Sequence, residues 1–207
     1  MEISIFEVTC FATNCLVVQD SGEALVVDPG DAVPELLESL EGYKVRTILN
    51  THGHCDHCGG NGALTAYTGA ELACHAEDVQ LIRSIEAQGA MFGVPFPPSP
   101  EPTRLLVEGD RVHVGRVEFT IFHTPGHTPG HIVLVGDGVA VVGDVLFAGS
   151  IGRTDLPGGN YERLLESIRT RLLNLPDETI VYPGHGPTTS IGAEREMNPY
   201  VAGLEPA

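Results

Sequence analysis

The sequence predicts an α/β fold of two packed sheets with helices on the outer faces, in one domain spanning residues 1–207. Three observations predict it. Short apolar segments fall into two strand-rich groups, segments with helical spacing alternate with them, and no internal repeat or low-complexity tract divides the chain. A chain of 207 residues buries one substantial core and is too short for two comfortable ones.

Ile3–Val8, Cys15–Gln19 and Ala24–Asp28 read as an antiparallel meander broken by Thr13-Asn14 and Ser21-Gly22. Asp31 is placed to cap a short helix with the apolar face Val33, Leu36, Leu37 and Leu40. Val45–Leu49 reads as a buried strand, Thr51–Gly60 as loop, and Asn61–Thr68 as a helix. A strand at Glu71–His75 precedes a helix over Ala76–Ala87, with Val79, Ile82 and Ile85 on one side. In Val94–Pro102 the prolines remove donors and fix φ, so neither helix nor central strand fits. The apolar flanks Met91, Phe92 and Phe96 favour a loop packed over the domain at a substrate entrance, rather than an interdomain linker. Strands return at Arg111–Val114, Val117–His123, Ile132–Val135 and Val139–Val142. A helix over about 160–172, a strand at Thr179–Tyr182 and a last helix over about 189–197 complete the pattern.

Lys and Arg number 11 against 28 Asp and Glu, a formal net charge of −17. That balance argues against a general nucleic-acid binder, whose affinity comes largely from cations on phosphates, and against docking on an anionic membrane. Met1-Glu2-Ile3-Ser4 does not begin a basic and then apolar leader, and no run of about 18 apolar residues occurs. The expectation is a soluble, cytoplasmic protein. The five cysteines do not make a disulfide framework in a chain this long. Cys55-Asp-His-Cys58 has redox spacing, but Asp56 and His57 belong to a stronger motif, and small buried thiols are the preferred reading.

The functional argument rests on nine histidines. His52, His54 and His57 stand with Asp56 directly after the strand ending at Leu49. His123, His127 and His131 follow another strand, Asp144 follows Val139–Val142, and His185 follows Thr179–Tyr182. Four strand ends thus each deliver a metal-ligand side chain from a Gly- or Pro-rich loop, where a rigid scaffold usually builds its sites. Imidazole and carboxylate suit zinc or iron, with three or four ligands per ion. His52 and His54, two apart on a turn, can face one ion while Cys55 points elsewhere; the adjacent Asp56 and His57 reach a second. A lone histidine is usually structural, but this density in one motif is not.

His52-Gly-His-Cys-Asp-His57, followed by His127, Asp144 and His185 and preceded by Val27-Asp-Pro-Gly30, resembles the metallo-β-lactamase superfamily over nearly the whole chain. The resemblance implies a four-layered αββα sandwich and two divalent metal ions, zinc in the first instance with iron or manganese as alternatives. It places His52, His54 and His127 on the first ion, Asp56, His57 and His185 on the second, and Asp144 between them. Asp56 and Asp144 are then the catalytic carboxylates, acting with a metal-bound hydroxide, and Asp28 orients a ligand imidazole. His123 and His131 are not ligand positions in the family and are expected to be structural.

The run Gly143–Asn160, with His57-Cys-Gly-Gly-Asn61, Met91-Phe-Gly93 and Tyr182-Pro-Gly-His-Gly-Pro187, is similar to the short glyoxalase II-like, or hydroxyacylglutathione hydrolase-like, family. That implies a small-molecule thioester substrate such as S-lactoylglutathione. Its thiolate leaving group, with a parent pKa of about 8.5, needs no strong general acid. Full-length glyoxalase II carries a C-terminal helical extension that supplies much of the glutathione site, and this sequence ends at Ala207 without room for it. Weak glutathione discrimination is therefore expected, with Met91, Phe92 and Phe96 as an apolar entrance. Arg153 and Asp155 are expected to pair and support the loop after Asp144, and Tyr182 to pack. The alternative is a mononuclear Fe(II) persulfide dioxygenase of the same superfamily, which shares Gly-Arg-Thr-Asp as at Gly152–Asp155. Asn61 and the run Leu156–Asn160 favour the hydrolase. A metal-bearing module without activity is a third reading. The sequence sets no oligomeric state.

Overall fold

Alternation along the strands builds the interior from both sides. The computed structural model describes residues 1–204. Its first sheet has the order β1 (Glu2–Val8), β2 (Thr13–Asp20), β3 (Glu23–Val27), β4 (Lys44–Leu49), β5 (Glu71–His75) and β6 (Arg104–Leu106). The second has the order β14 (Thr189–Ser190), β13 (Ile180–Pro183), β10 (Val139–Gly143), β9 (Ile132–Gly136), β8 (Val117–His123) and β7 (Arg111–Val114). Successive side chains of a strand point to opposite faces. Leu16, Val18, Leu25, Val27 and Leu49 of the first sheet therefore meet Phe119, Ile121, Leu134 and Val141 of the second in the central core. The intervening Val17, Val26 and Ile48 face outward onto Leu36 of α1 (Pro34–Ser39) and Leu64 of α3 (Asn61–Thr68). Val133, Ala140, Val142 and Val181 likewise face Leu164 of α6 (Tyr161–Ser167) and the π-turn Ile168–Leu172 that continues it. The layers run helix, sheet, sheet, helix, the four-layered αββα sandwich expected. Phe119 is fully buried at its centre, and truncation to alanine there costs about 3–5 kcal/mol.

Several boundaries differ from expectation for identifiable reasons. Thr13 and Asn14 do not break the meander but open β2, where the Asn14 amide donates to the carbonyls of Pro183 and Gly186 and ties the two sheets together. Asp31 caps nothing: it accepts only from the Ala32 N–H, and α1 starts at Pro34, whose fixed φ suits a first helical turn. Cys55–Cys58 forms a one-turn helix, α2, inside the expected loop. The helix expected over 76–87 is a 3₁₀ turn at Ala76–Asp78, then α4 (Val79–Ile82), then α5 (Ile85–Phe92). At the break, the Leu81 carbonyl accepts from the Ser84 hydroxyl and the Gln88 amide, side-chain bonds that compete with helix continuation. Residues 94–103 are irregular as expected, but β6 follows, paired in parallel with β5. The hairpin β11 (Leu146–Phe147) and β12 (Ser150–Ile151) also had no strand signal long enough to read. All five cysteines are free thiols. Among the described residues no helix is long and apolar enough to cross a membrane.

Candidate metal centre

The loops that follow β3, β4, β8, β10 and β13 carry Asp28, the His52–His57 run, His127, Asp144 and His185. β3 and β4 are parallel, as are β10 and β13, so their following loops converge. Gly143 turns the chain into Asp144 with φ +48, and a side chain there would collide with Thr51 and His131. The structure brings together His52, His54, Asp56, His57, His127, Asp144 and His185.

They form two triads, His52–His54–His127 and Asp56–His57–His185, in each of which the candidate ligand atoms lie within 4.8 Å of one another. In the second, His57 Nε2 is 3.3 Å from His185 Nε2, and Asp56 Oδ2 is 3.4 Å from each. Three atoms around a tetrahedral ion at metal–ligand distances of 2.0–2.1 Å stand about 3.3–3.4 Å apart, so this spacing fits one ion. In the first, His54 Nδ1 and His127 Nε2 face each other at 2.9 Å. Asp144 joins the two: its Oδ2 is 3.5 Å from His127 Nε2 and 3.6 Å from His185 Nε2, and its Oδ1 is 3.5 Å from His57 Nε2.

The outer nitrogens show which way the imidazoles are set. His127 Nδ1 donates to the Arg153 carbonyl at 2.7 Å, and His185 Nδ1 to the carbonyls of Phe11 and Ala12. His57 Nδ1 lies 3.0 Å from the Asp28 carboxylate. His52 Nδ1 meets the Thr51 hydroxyl, which itself donates to Asp28. A carbonyl or carboxylate only accepts, so each of these rings keeps a proton on its outer nitrogen and turns its other nitrogen inward, as metal-bound histidines do. His52 Nε2 and Asp144 Oδ1 are buried with no hydrogen-bond partner. An orphaned imidazole nitrogen and an orphaned carboxylate oxygen among these clustered donors fit a cation site.

Electrostatics separates the triads. Burial, then the neighbouring rings, pushes His52 down and His54 to about 3; burial likewise takes His127 to about 4. Burial also opposes charge on His57, yet Asp56, Asp144 and Asp28 carry it up to about 10. Asp56 and Asp144 raise His185 against its burial. On Asp56 burial is outweighed by His57, His185 and the Thr13 hydroxyl, which hold its carboxyl well below the usual range.

Asp28 sits as expected beyond the ligands, in a left-handed turn with φ +53, accepting from Thr51 and reaching His57. Arg153 and Asp155 pair on the surface through the Nε and Nη2 edge of the guanidinium, and what touches His127 is the Arg153 carbonyl rather than its side chain. Met91 and Phe92 line the mouth, but Phe96 does not: it is buried beside Cys55, Cys58 and Ile85, behind Phe11, on which it stacks at 6.3 Å. Close approach of Gly59 and Gly89 to its ring draws it inward. Asn61 lies wholly buried against Asn50, whose amide holds the His57 carbonyl, and Asn160 caps α6. Neither lines the cavity in front of the candidate ligands, whereas Leu156 and Pro157 of the same run do. Tyr182 packs on the central core. His131 donates no ligand atom; its Nε2 accepts the Asp144 N–H at 3.0 Å. His123 stacks on His75 at 4.2 Å and donates to the Pro129 carbonyl.

Two residues escaped the sequence reading. Thr13 donates to Asp56 at 2.9 Å. Asp78, fully buried, accepts from Gly53 N–H, the Thr128 hydroxyl and Gly130 N–H at 2.8, 2.7 and 2.6 Å. It clasps the loop of His52 and His54 to the loop of His127. Its only local signal is a carboxylate one turn past β5.

A family model described as metallo-beta-lactamase superfamily matches residues 8–185. The hydroxyacylglutathione hydrolase GloC of Haemophilus influenzae is 41% identical over 97% of this chain and 98% of its own. Among solved structures, the B3 metallo-beta-lactamase BLEG-1 superposes with a TM-score of 0.91 at 34% identity, covering 98% of this chain and all of that one. TTHA1623 in a di-iron-bound form gives 0.89 at 35%, covering 95% and 99%. ETHE1 from Myxococcus xanthus gives 0.79 at 28%, covering 98% and 85%.

Proposed function

The chain belongs to the metallo-β-lactamase superfamily, and from that premise we propose a binuclear metallohydrolase that cleaves small thioesters, S-lactoylglutathione among them. The observation that carries this reading is Asp144, one carboxylate within 3.5–3.6 Å of a ring nitrogen from each triad. His52, His54 and His127 would hold one divalent ion, Asp56, His57 and His185 the other, with Asp144 shared. Zinc, iron and manganese all suit such nitrogen and carboxylate donors, and the likeness to a di-iron-bound structure keeps iron in view. Bound ions supply Lewis acidity toward a carbonyl oxygen and make water acidic enough to act as a nucleophile near neutral pH. The protein's share is orientation. Asp28, Thr51 and the Arg153 carbonyl fix the imidazoles, and Thr13 fixes Asp56. A thiolate leaves without a strong general acid, which suits a floor made of ligands alone. The 41% identity with GloC supports the thioester over amide or lactam substrates.

A persulfide dioxygenase is the second reading, favoured by the likeness to ETHE1 over 98% of this chain. Metal analysis with an anaerobic assay decides between them. The hydrolase should carry about two ions per chain and cleave S-lactoylglutathione without oxygen. One iron per chain, anaerobic inactivity and oxygen uptake with glutathione persulfide would instead establish the dioxygenase.

A further inference from the structure

A cavity of about 430 Å³ opens in front of the metal centre, with His54, Asp56, His127, Asp144 and His185 as its floor. Its walls are Phe11, Leu81, Ala87, Met91, Phe92 and Leu156. Three polar side chains also reach the wall, and each already bonds to the protein. The Ser84 hydroxyl donates to the Leu81 carbonyl at 2.9 Å. The Gln88 amide donates to the carbonyls of Leu81 and Gly53 and accepts from the Cys55 N–H, so both of its ends are used. The Arg153 guanidinium forks onto Asp155 at 2.7 and 2.8 Å. A charged or hydrogen-bonding substituent placed against the apolar residues of this wall would lose water and gain no partner there. An apolar one would cover Met91 and Phe92, which are 74% and 48% exposed.

We propose that this wall binds an uncharged, apolar alkyl or aryl substituent of the substrate, and that the charged ends of a glutathione carrier stay in solvent. The inference rests on the thioester reading only for the bond that is cleaved. The substituent belongs either to the acyl group or to the thiol, and the test has an arm for each.

In the first arm the metal-loaded enzyme is given acetyl, butanoyl and hexanoyl thioesters of one small neutral thiol. In the second it is given lactoyl thioesters of glutathione and of propanethiol. In the third, binding of butanoate, hexanoate and octanoate is measured by calorimetry, which needs no turnover. The substituent's own arm should show kcat/KM rising about fourfold per methylene, the equivalent of about 0.8 kcal/mol. Exchange of glutathione for propanethiol should cost less than tenfold, and alkanoate affinity should climb in the same steps. Met91→Asp, at a position exposed enough to leave folding alone, should flatten that climb. A flat alkanoate series, or a thousandfold loss without glutathione, overturns the proposal. No thioester turnover with a steep alkanoate series would overturn the proposed reaction and leave the apolar wall standing; turnover with a flat series does the reverse.

Discussion

The His52–His54–His127 triad and the Asp56–His57–His185 triad share Asp144, yet their surroundings move protons in opposite directions. In the first, three imidazoles lie buried together, and His54 and His127 fall to about 3 and 4. In the second, burial is as deep at His57, but Asp28, Asp56 and Asp144 surround it and it rises to about 10. One triad presents free lone pairs at neutral pH, and the other holds protons that a cation must displace. The chemical identity of a ligand set therefore does not settle its behaviour: histidines of one motif, His54 and His57, are three residues apart and differ most.

The largest effect expected is at the shared residue. Asp144→Ala should lower bound metal from about two ions to one or fewer and reduce kcat/KM well over 100-fold, since loss of even an outer partner of a ligand costs about 10–100-fold. His57→Ala should strip only the second ion and leave the first triad loaded. Mass spectrometry of the native protein counts the ions directly, and full occupancy in either variant would break the division into triads.

Asp78→Asn should act on the first triad alone. An amide keeps one acceptor but turns a donor toward the N–H and hydroxyl groups of the clasp, so metal affinity there should fall about 10–100-fold, and stability by about 1–3 kcal/mol. Competition with a chromogenic chelator reads the first loss, and a denaturant titration the second. Equal weakening of both sites would mean that Asp78 supports the whole edge.

How much of this was legible in sequence follows from distance along the chain. The candidate ligands were readable because each is a strong donor type in the loop after an apolar strand, and the layering because two strand-rich groups alternate with segments of helical spacing. Asp78 was not, because its partners Gly53, Thr128 and Gly130 reach it only through tertiary contact. Phe96 was misplaced for the same reason: its apolar character said that it packs, but not that Gly59 and Gly89 make room for it inside. The break at Ser84 was hidden because Val79, Ile82 and Ile85 keep helical spacing across it.

pH should separate the triads in protein stripped of metal by a chelator. His54 and His127 titrate lower in the fold than their ordinary value near 6.5, so the folded form binds fewer protons than the unfolded one. Their contribution to stability is full above about pH 6.5 and lost as pH falls toward 4 and 3. His57 has the opposite sign: its contribution is full below about pH 6.5 and lost as pH rises through about 10. Urea midpoints should therefore fall on both sides of neutrality, His54→Asn flattening the acid limb and His57→Asn the alkaline one. A single variant that flattened both limbs would show the two triads to titrate as one.

The smallest effect is expected at Arg153, where a basic side chain beside a ligand loop invites a substrate role. Its guanidinium is held by Asp155, whose own carboxyl the pairing lowers to about 2, and both side chains are more than half exposed. An exposed pair of this kind contributes little to stability, because water and salt screen it. The contact that matters to His127 comes from the Arg153 carbonyl, which any residue supplies. Arg153→Ala should leave two ions bound and change kcat/KM for S-lactoylglutathione less than about threefold, under about 0.7 kcal/mol. A tenfold loss confined to KM, absent for a neutral thiol, would show the guanidinium leaving Asp155 for a glutathione carboxylate. The wall of the cavity would then hold a cation after all, and its partition into apolar and committed groups would fail at that one residue.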